Sequence, residues 1–301
     1  MTGIVVGLAV MIASEAATLA GVEPFASWNT PICWTGFILF ADALVRRRRG
    51  DSWLTSAPRE FALVAAVSIP LWLVFEFYNL FLDNWHYTGL PDNTALRYFG
   101  YAWSFATIWP AMFEAAELVA VLRGDRHSPL LARRQAPSAP PAPSAPSAPS
   151  ALSAPVWFSL ALGLLMLVSP LVVSPAVARY LAAPVWIGFI LLLDPINARL
   201  GGESLIGDFR AGRHDRLVNL LLGGLLCGVL WEFWNYWSRA KWHYTVPIME
   251  RVKIFEMPLP GYLGFPAFAL ECFTMYVFVR LVAGWLVGRR PGAPAGRTIA
   301  L

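Results

Sequence analysis

Leu230-Trp231-Glu232-Phe233-Trp234-Asn235-Tyr236-Trp237, followed by Trp242-His243-Tyr244-Thr245, places a carboxylate, a carboxamide and an imidazole at the end of an apolar run. The same arrangement occurs earlier as Val74-Phe75-Glu76-Phe77-Tyr78-Asn79, then Trp85-His86-Tyr87-Thr88. The string Trp-His-Tyr-Thr recurs unchanged. Tyr87 and Glu114 are 27 positions apart, and so are Tyr244 and Glu271. Trp34-Thr35-Gly36-Phe37-Ile38-Leu39 likewise matches Trp186-Ile187-Gly188-Phe189-Ile190-Leu191, and Asp42 falls on Asp194. Ungapped agreement across a loop implies one unit present twice.

Composition sets the class. The 301 residues are 57% hydrophobic and only 14% charged, with a mean hydropathy of +0.54. Soluble domains carry about 25% charged residues. With several apolar runs near membrane-spanning length, the deficit implies transmembrane helices. A β-barrel would alternate apolar and polar residues, and these runs do not. The net charge of +4 comes mostly from loop arginines. That suits a topology signal rather than a nucleic-acid interface. Cys33, Cys227 and Cys272 lie in apolar segments without metal-type spacing, so free thiols are expected.

The expected fold is an all-α integral membrane protein of about eight transmembrane helices, in two parallel four-helix repeats. The helices are placed at about 3–20, 29–45, 60–82 and 101–122, then 155–178, 180–197, 215–237 and 262–287. The first repeat is then 1–122 and the second 155–288. Between them, 123–154 is rich in Ala, Pro and Ser and reads as a disordered cytoplasmic linker. Residues 289–301 form a tail. The first run lacks a basic segment after Met1 and contains Glu15, so it reads as a retained helix rather than a signal peptide.

Each unit has an even number of helices, so both insert with the same orientation. Of the 23 Lys and Arg, 16 lie in the 2–3, 4–5 and 6–7 connections and the tail, and six on the other side. The excess of basic residues makes the first side cytoplasmic, with both termini inside and the inner membrane as location. The two Trp-His-Tyr strings then face outward.

Glu76 and Asn79 share a helix face at i, i+3, as do Glu232 and Asn235. Acids within membrane helices cost about 2.5–3.5 kcal/mol near the centre and commonly mark function. Glu76, Glu114, Glu232 and Glu271 are therefore the candidate proton donors and acceptors. Asn79, Asn235, His86, His243, Trp85, Trp242, Tyr87 and Tyr244 are candidate substrate-binding residues. The competing reading of the acids is interhelical hydrogen bonding, and of the Trp-His-Tyr strings an aromatic belt. Glu117 has no acidic counterpart and ranks second. If a metal binds, its ligands are Glu76, His86 and Glu114, mirrored by Glu232, His243 and Glu271, a set suited to Zn, Mn or Fe. Neither set has a known metal spacing. The punctuated stretch from Val252 to Pro266 reads as an interfacial or re-entrant piece.

Aromatic side chains crowd these acids, and aromatic faces stabilise cations by about 0.5–2 kcal/mol each. An acid in such a pocket can protonate a double bond and hold the cation formed. In these respects, Glu76 and Glu232 in apolar helices and the duplicated plan, the chain is similar to small membrane terpenoid cyclases, including lycopene cyclase domains. Their Pro-x-Glu-Glu motif is absent: Pro70 lies six positions before Glu76, and Phe77 follows it. The expected function is a membrane enzyme acting on a lipid or isoprenoid by carboxylate acid–base chemistry. A proton- or ion-coupled transporter, with the acids at the repeat interface, and a structural or partner-binding protein fit the same residues. Expected partners are membrane lipids and a hydrophobic small molecule, not nucleic acid. No P-loop, dinucleotide fingerprint or Gly-x-Ser-x-Gly is present.

Overall fold

The computed structural model describes residues 1–125 and 153–286. Most of the expected linker and all of the tail 289–301 lie outside them. The chain is all-α apart from short strands. It runs α1 (Thr2–Leu19), α2 (Phe25–Arg49), α3 (Trp53–Ser56), α4 (Pro58–Leu82), β1 (Trp85–Thr88) and α5 (Thr94–Leu122). After the undescribed stretch come α6 (Ala154–Val172), α7 (Pro175–Ala178), α8 (Ala182–Arg199), α9 (Leu205–Arg210), α10 (Asp215–Trp237) and β2 (Lys241–Tyr244). Then follow β3 (Lys253–Ile254), β4 (Met257–Pro258), a 3-10 turn (Leu259–Leu263) and α11 (Gly264–Leu286).

Six of the described helices, including α11 with its preceding turn, are long and apolar enough to cross a membrane: α1, α4, α5, α6, α10 and α11. These mark a multi-pass membrane protein. The expected segments 29–45 and 180–197 do form long helices, α2 and α8, but outside that set. Each carries polar groups that dilute it: Asn29, Thr30, Asp42 and four arginines in α2, and Asp194, Asn197 and Arg199 in α8. The expected helix 155–178 stops at Val172, because Ser174-Pro175 forces extended backbone before a new turn.

Outward faces carry large exposed apolar side chains such as Ile12, Leu80, Phe158 and Leu165. Polar groups turn inward, with Glu114, Glu117, Glu232 and Glu271 among the most buried side chains. This is the inversion expected where the surrounding solvent is hydrocarbon.

α1 packs on α2, α2 on α5, and α4 on α5; likewise α6 packs on α8, α8 on α11, and α10 on α11. α5 against α10 joins the two groups. Glycine sets the close crossings. A Cβ on Gly7 would stand 2.5 Å from the Gly36 carbonyl, and one on Gly163 would stand 2.9 Å from that of Gly188. Small residues at such points let backbones approach. At the α5–α10 contact, a Cβ on Gly223 would lie 2.7 Å from the Ala116 amide nitrogen, which is backbone and cannot swing away. Gly223→Ala is therefore expected to destabilise by about 1–3 kcal/mol, read as a lower unfolding midpoint in detergent.

Two features position the site. α2 is kinked at Trp28 (φ −120°, ψ 24°), because Pro31 has no N–H and its ring opposes the carbonyl four residues back. And β1 pairs antiparallel with β2, setting Trp85 opposite Tyr244, His86 opposite His243 and Tyr87 opposite Trp242. The two Trp-His-Tyr strings thus form a ribbon across the ends of α4 and α10.

Candidate functional site

The asparagines fasten this ribbon. Asn79 Nδ2 donates to the Trp85 carbonyl at 2.8 Å, and its Oδ1 accepts from the Asn84 amide at 2.9 Å. Asn235 Nδ2 donates to the Trp242 carbonyl at 2.9 Å, and its Oδ1 accepts from the Trp242 amide at 3.0 Å. Their amides hold the chain where a helix has ended and its orphan groups need partners.

One turn before each asparagine, the glutamate reaches the same ribbon. Glu76 Oε1 accepts from Trp72 Nε1 at 2.8 Å, Tyr87 Oη at 2.5 Å and Trp85 Nε1 at 3.4 Å. Glu232 Oε1 accepts from Tyr244 Oη at 2.9 Å, and that hydroxyl accepts from Trp242 Nε1 at 2.9 Å. Glu232 is fully buried and its Oε2 has no partner. The Tyr87 and Tyr244 hydroxyls are pushed well above the ordinary tyrosine range, first by burial and then by the adjacent glutamate charge. Both therefore remain neutral O–H donors.

The tyrosines face a cavity of about 140 Å³. Trp34, Trp72, Phe75, Phe105, Trp231 and Phe268 wall it, and Trp85 and Trp242 line it too. Trp72 stands 5.7 Å from Trp231 and 5.9 Å from Phe268, centroid to centroid. Glu76 and Glu232 stand behind their tyrosines rather than in the wall. Trp85, Trp242, Tyr87 and Tyr244 thus line one cavity.

The histidines do not line it, since strand alternation turns them to the other face. Their rings stack with centroids 5.6 Å apart. His243 Nε2 meets Thr88 Oγ1 at 3.1 Å and its Nδ1 meets Glu256 Oε2 at 3.1 Å. Lys241 Nζ binds the other Glu256 oxygen at 3.0 Å. Burial opposes ionisation of Glu256, but the Lys241 and His243 contacts outweigh it and hold the carboxyl below its ordinary range. A depressed carboxyl stabilises the fold above its unfolded pKa and loses that contribution as pH falls through the folded value. Amide exchange in residues 241–244 is accordingly expected to accelerate on acidification below about pH 4.3, the ordinary glutamate value. Glu256→Gln should remove that dependence; an unchanged acid profile in the variant would exclude Glu256 as its source.

Glu114 and Glu271 lie elsewhere. They are 1% and 0% exposed; Glu271 has no hydrogen-bond partner for either carboxyl oxygen, and Glu114 faces the Asp42 carboxyl. The expected metal sets, Glu76–His86–Glu114 and Glu232–His243–Glu271, are not assembled. Among the described residues no group of three or more His, Cys, Asp or Glu is placed to hold a metal ion. The reason is topological: the histidines sit on the outer face of the ribbon, while Glu114 and Glu271 project from buried helix interiors.

Glu117 is the residue most undervalued by sequence. Its Oε1 accepts from Trp53 Nε1 at 2.9 Å and its Oε2 from Arg49 Nη2. Arg49 Nε also binds Asp51 at 2.8 Å. Arg49 ends the arginine run, and Glu117 lies 68 positions later in α5, too far for spacing to pair them. Asp42 accepts from the Leu54 amide at 2.9 Å, and Asp194 from the Leu205 and Ile206 amides at 2.7 and 2.9 Å. Both accept first-turn amides of the short helices that follow, whose N-cap residues are Ser52 and Ser204. Comparisons with protein families, with curated proteins and with solved structures find no match to this chain.

Proposed function

We propose that this membrane protein is an enzyme that takes an apolar, unsaturated lipid or isoprenoid into the aromatic cavity and moves protons to and from it through two glutamate–tyrosine pairs. The observation carrying this is that Glu76 and Glu232 each contact a tyrosine hydroxyl that lines the cavity. A proton passes from one carboxyl to its tyrosine as that tyrosine gives its own to a double-bond carbon. The aromatic walls stabilise the cation formed. The second pair removes a proton from a neighbouring carbon, leaving an isomerised or cyclised product. Positioned acid–base groups contribute typically about 10²–10⁴-fold in rate.

The duplicated architecture belongs to the same proposal: eight membrane helices in two parallel repeats, 1–122 and 155–288, with the linker, the tail and both termini cytoplasmic. Support comes from the like pattern of helix contacts, the paired glycine crossings and the ribbon that lays like on like. One observation favours a second reading, proton-coupled transport: Glu271 is buried without a partner and Glu114 is buried against the Asp42 carboxyl, as carboxyls in proton pathways are.

The test uses protein in bilayers supplied with an isoprenoid-containing lipid extract in deuterated buffer. The enzyme reading expects deuterium on carbon in one extract component, lost in the double variant Tyr87→Phe with Tyr244→Phe. Absence of incorporation together with proton flux abolished by Glu114→Gln would replace it with transport.

A further inference from the structure

The cavity wall is almost wholly apolar, yet its cationic and donor groups are unevenly used. Lys241 is held by Glu256 at 3.0 Å and by the Tyr236 carbonyl at 3.1 Å. Arg97, in the first turn of α5, also lines the cavity. Its Nε donates to the Pro91 carbonyl at 3.0 Å, and among the described residues it forms no ion pair. Its terminal guanidinium nitrogens therefore remain open to a ligand. Trp28 Nε1 is a second idle donor: the atom is buried, lines the same cavity by its residue, and has no acceptor. A buried donor without an acceptor is costly unless something supplies one.

The two donors are neighbours through Gly100. It lies three positions after Arg97, on the same helix face, and a Cβ there would stand 3.2 Å from Trp28 Nε1. Glycine keeps that edge of the indole free of a side chain. The kink of α2 at Trp28 brings the indole to this point.

We infer that Arg97 and Trp28 Nε1–H form an anion-recognition subsite at one end of the aromatic cavity, so that the ligand is an amphiphile with an apolar body and a phosphate or carboxylate head. Arg97 supplies a planar, permanently charged fork suited to either head. The buried indole supplies a directed neutral donor. This rests on the ligand-binding reading above and narrows it from any apolar lipid to an anionic one.

Tryptophan fluorescence of the purified protein in non-ionic detergent, titrated with geranyl phosphate, geranic acid and geraniol, tests the inference. All three share one chain. At least one anion is expected to bind about tenfold tighter than the alcohol, as a charge-assisted hydrogen bond supplies, and which anion does so identifies the head. Arg97→Gln should abolish the preference and leave geraniol binding unchanged, Arg97→Lys should restore part of it, and Trp28→Phe should reduce it. Equal binding of all three by the wild type, or an undiminished preference in Arg97→Gln, overturns the subsite while leaving an apolar ligand in place. Failure of every probe, geraniol included, overturns both.

Discussion

Arg49→Ala is expected to remove about 3–5 kcal/mol of folding stability, the cost of leaving a buried ion pair without one partner. The Arg49 side chain is 2% exposed, and those of Glu117 and Asp51 are 0% and 1% exposed. Alanine would leave Glu117 with Trp53 Nε1 as its remaining donor, deep between α2, α3 and α5. The loss should be non-additive. Pairing Arg49→Met with Glu117→Leu removes the Glu117 carboxylate together with the guanidinium, while Asp51 stays in both variants, and should cost less than Arg49→Ala alone. Equilibrium unfolding of the three variants, followed by circular dichroism in non-ionic detergent, reads this directly. A loss below about 1 kcal/mol for Arg49→Ala, typical of an exposed pair, would contradict the burial described.

The second large effect falls on activity. Glu232→Gln is expected to lower product formation by about 10²–10⁴-fold, the contribution of a positioned acid or base, with folding retained because glutamine keeps the Tyr244 contact. Glu76→Gln should cost less. Glu76 Oε1 is already engaged by three donors, whereas Glu232 has one donor and an unengaged second oxygen. Turnover measured as deuterium incorporation, with circular dichroism as the folding control, decides the point. Both variants within twofold of wild type would make the glutamates anchors for the ribbon and nothing more.

The helices were legible because lipid-facing apolar runs are long and uninterrupted. The expected 60–82 and 215–237 agree with α4 and α10 to within two residues. The ribbon was not legible. Four residues of Trp-His-Tyr-Thr carry too little alternation to announce a strand, and their partner lies more than 150 positions away. For the same reason the ribbon contacts of the asparagines were not legible. Their helix face was readable, but the backbone they bind is placed only by the ribbon. Glu76 and Glu232 were visible as acids in apolar helices, whereas their tyrosine partners depended on the turn that follows. The metal sets failed because sequence order put histidine between two glutamates without showing which strand face it takes. Arg97 and Trp28 gave no signal at all. An arginine at a membrane boundary and a tryptophan in a belt are common, and only the kink of α2 and the glycine at position 100 bring them to one cavity.

The central claim is that the space between the two glutamate–tyrosine pairs holds an apolar ligand. Native mass spectrometry of protein released gently from detergent tests it most directly, comparing wild type with Ser104→Phe, which fills the cavity from a wall residue outside the two pairs. The account predicts a co-purified lipid or isoprenoid adduct on the wild type and its loss in the variant. An adduct retained equally by Ser104→Phe, or a wild-type protein that carries none and takes up none when offered, would contradict it.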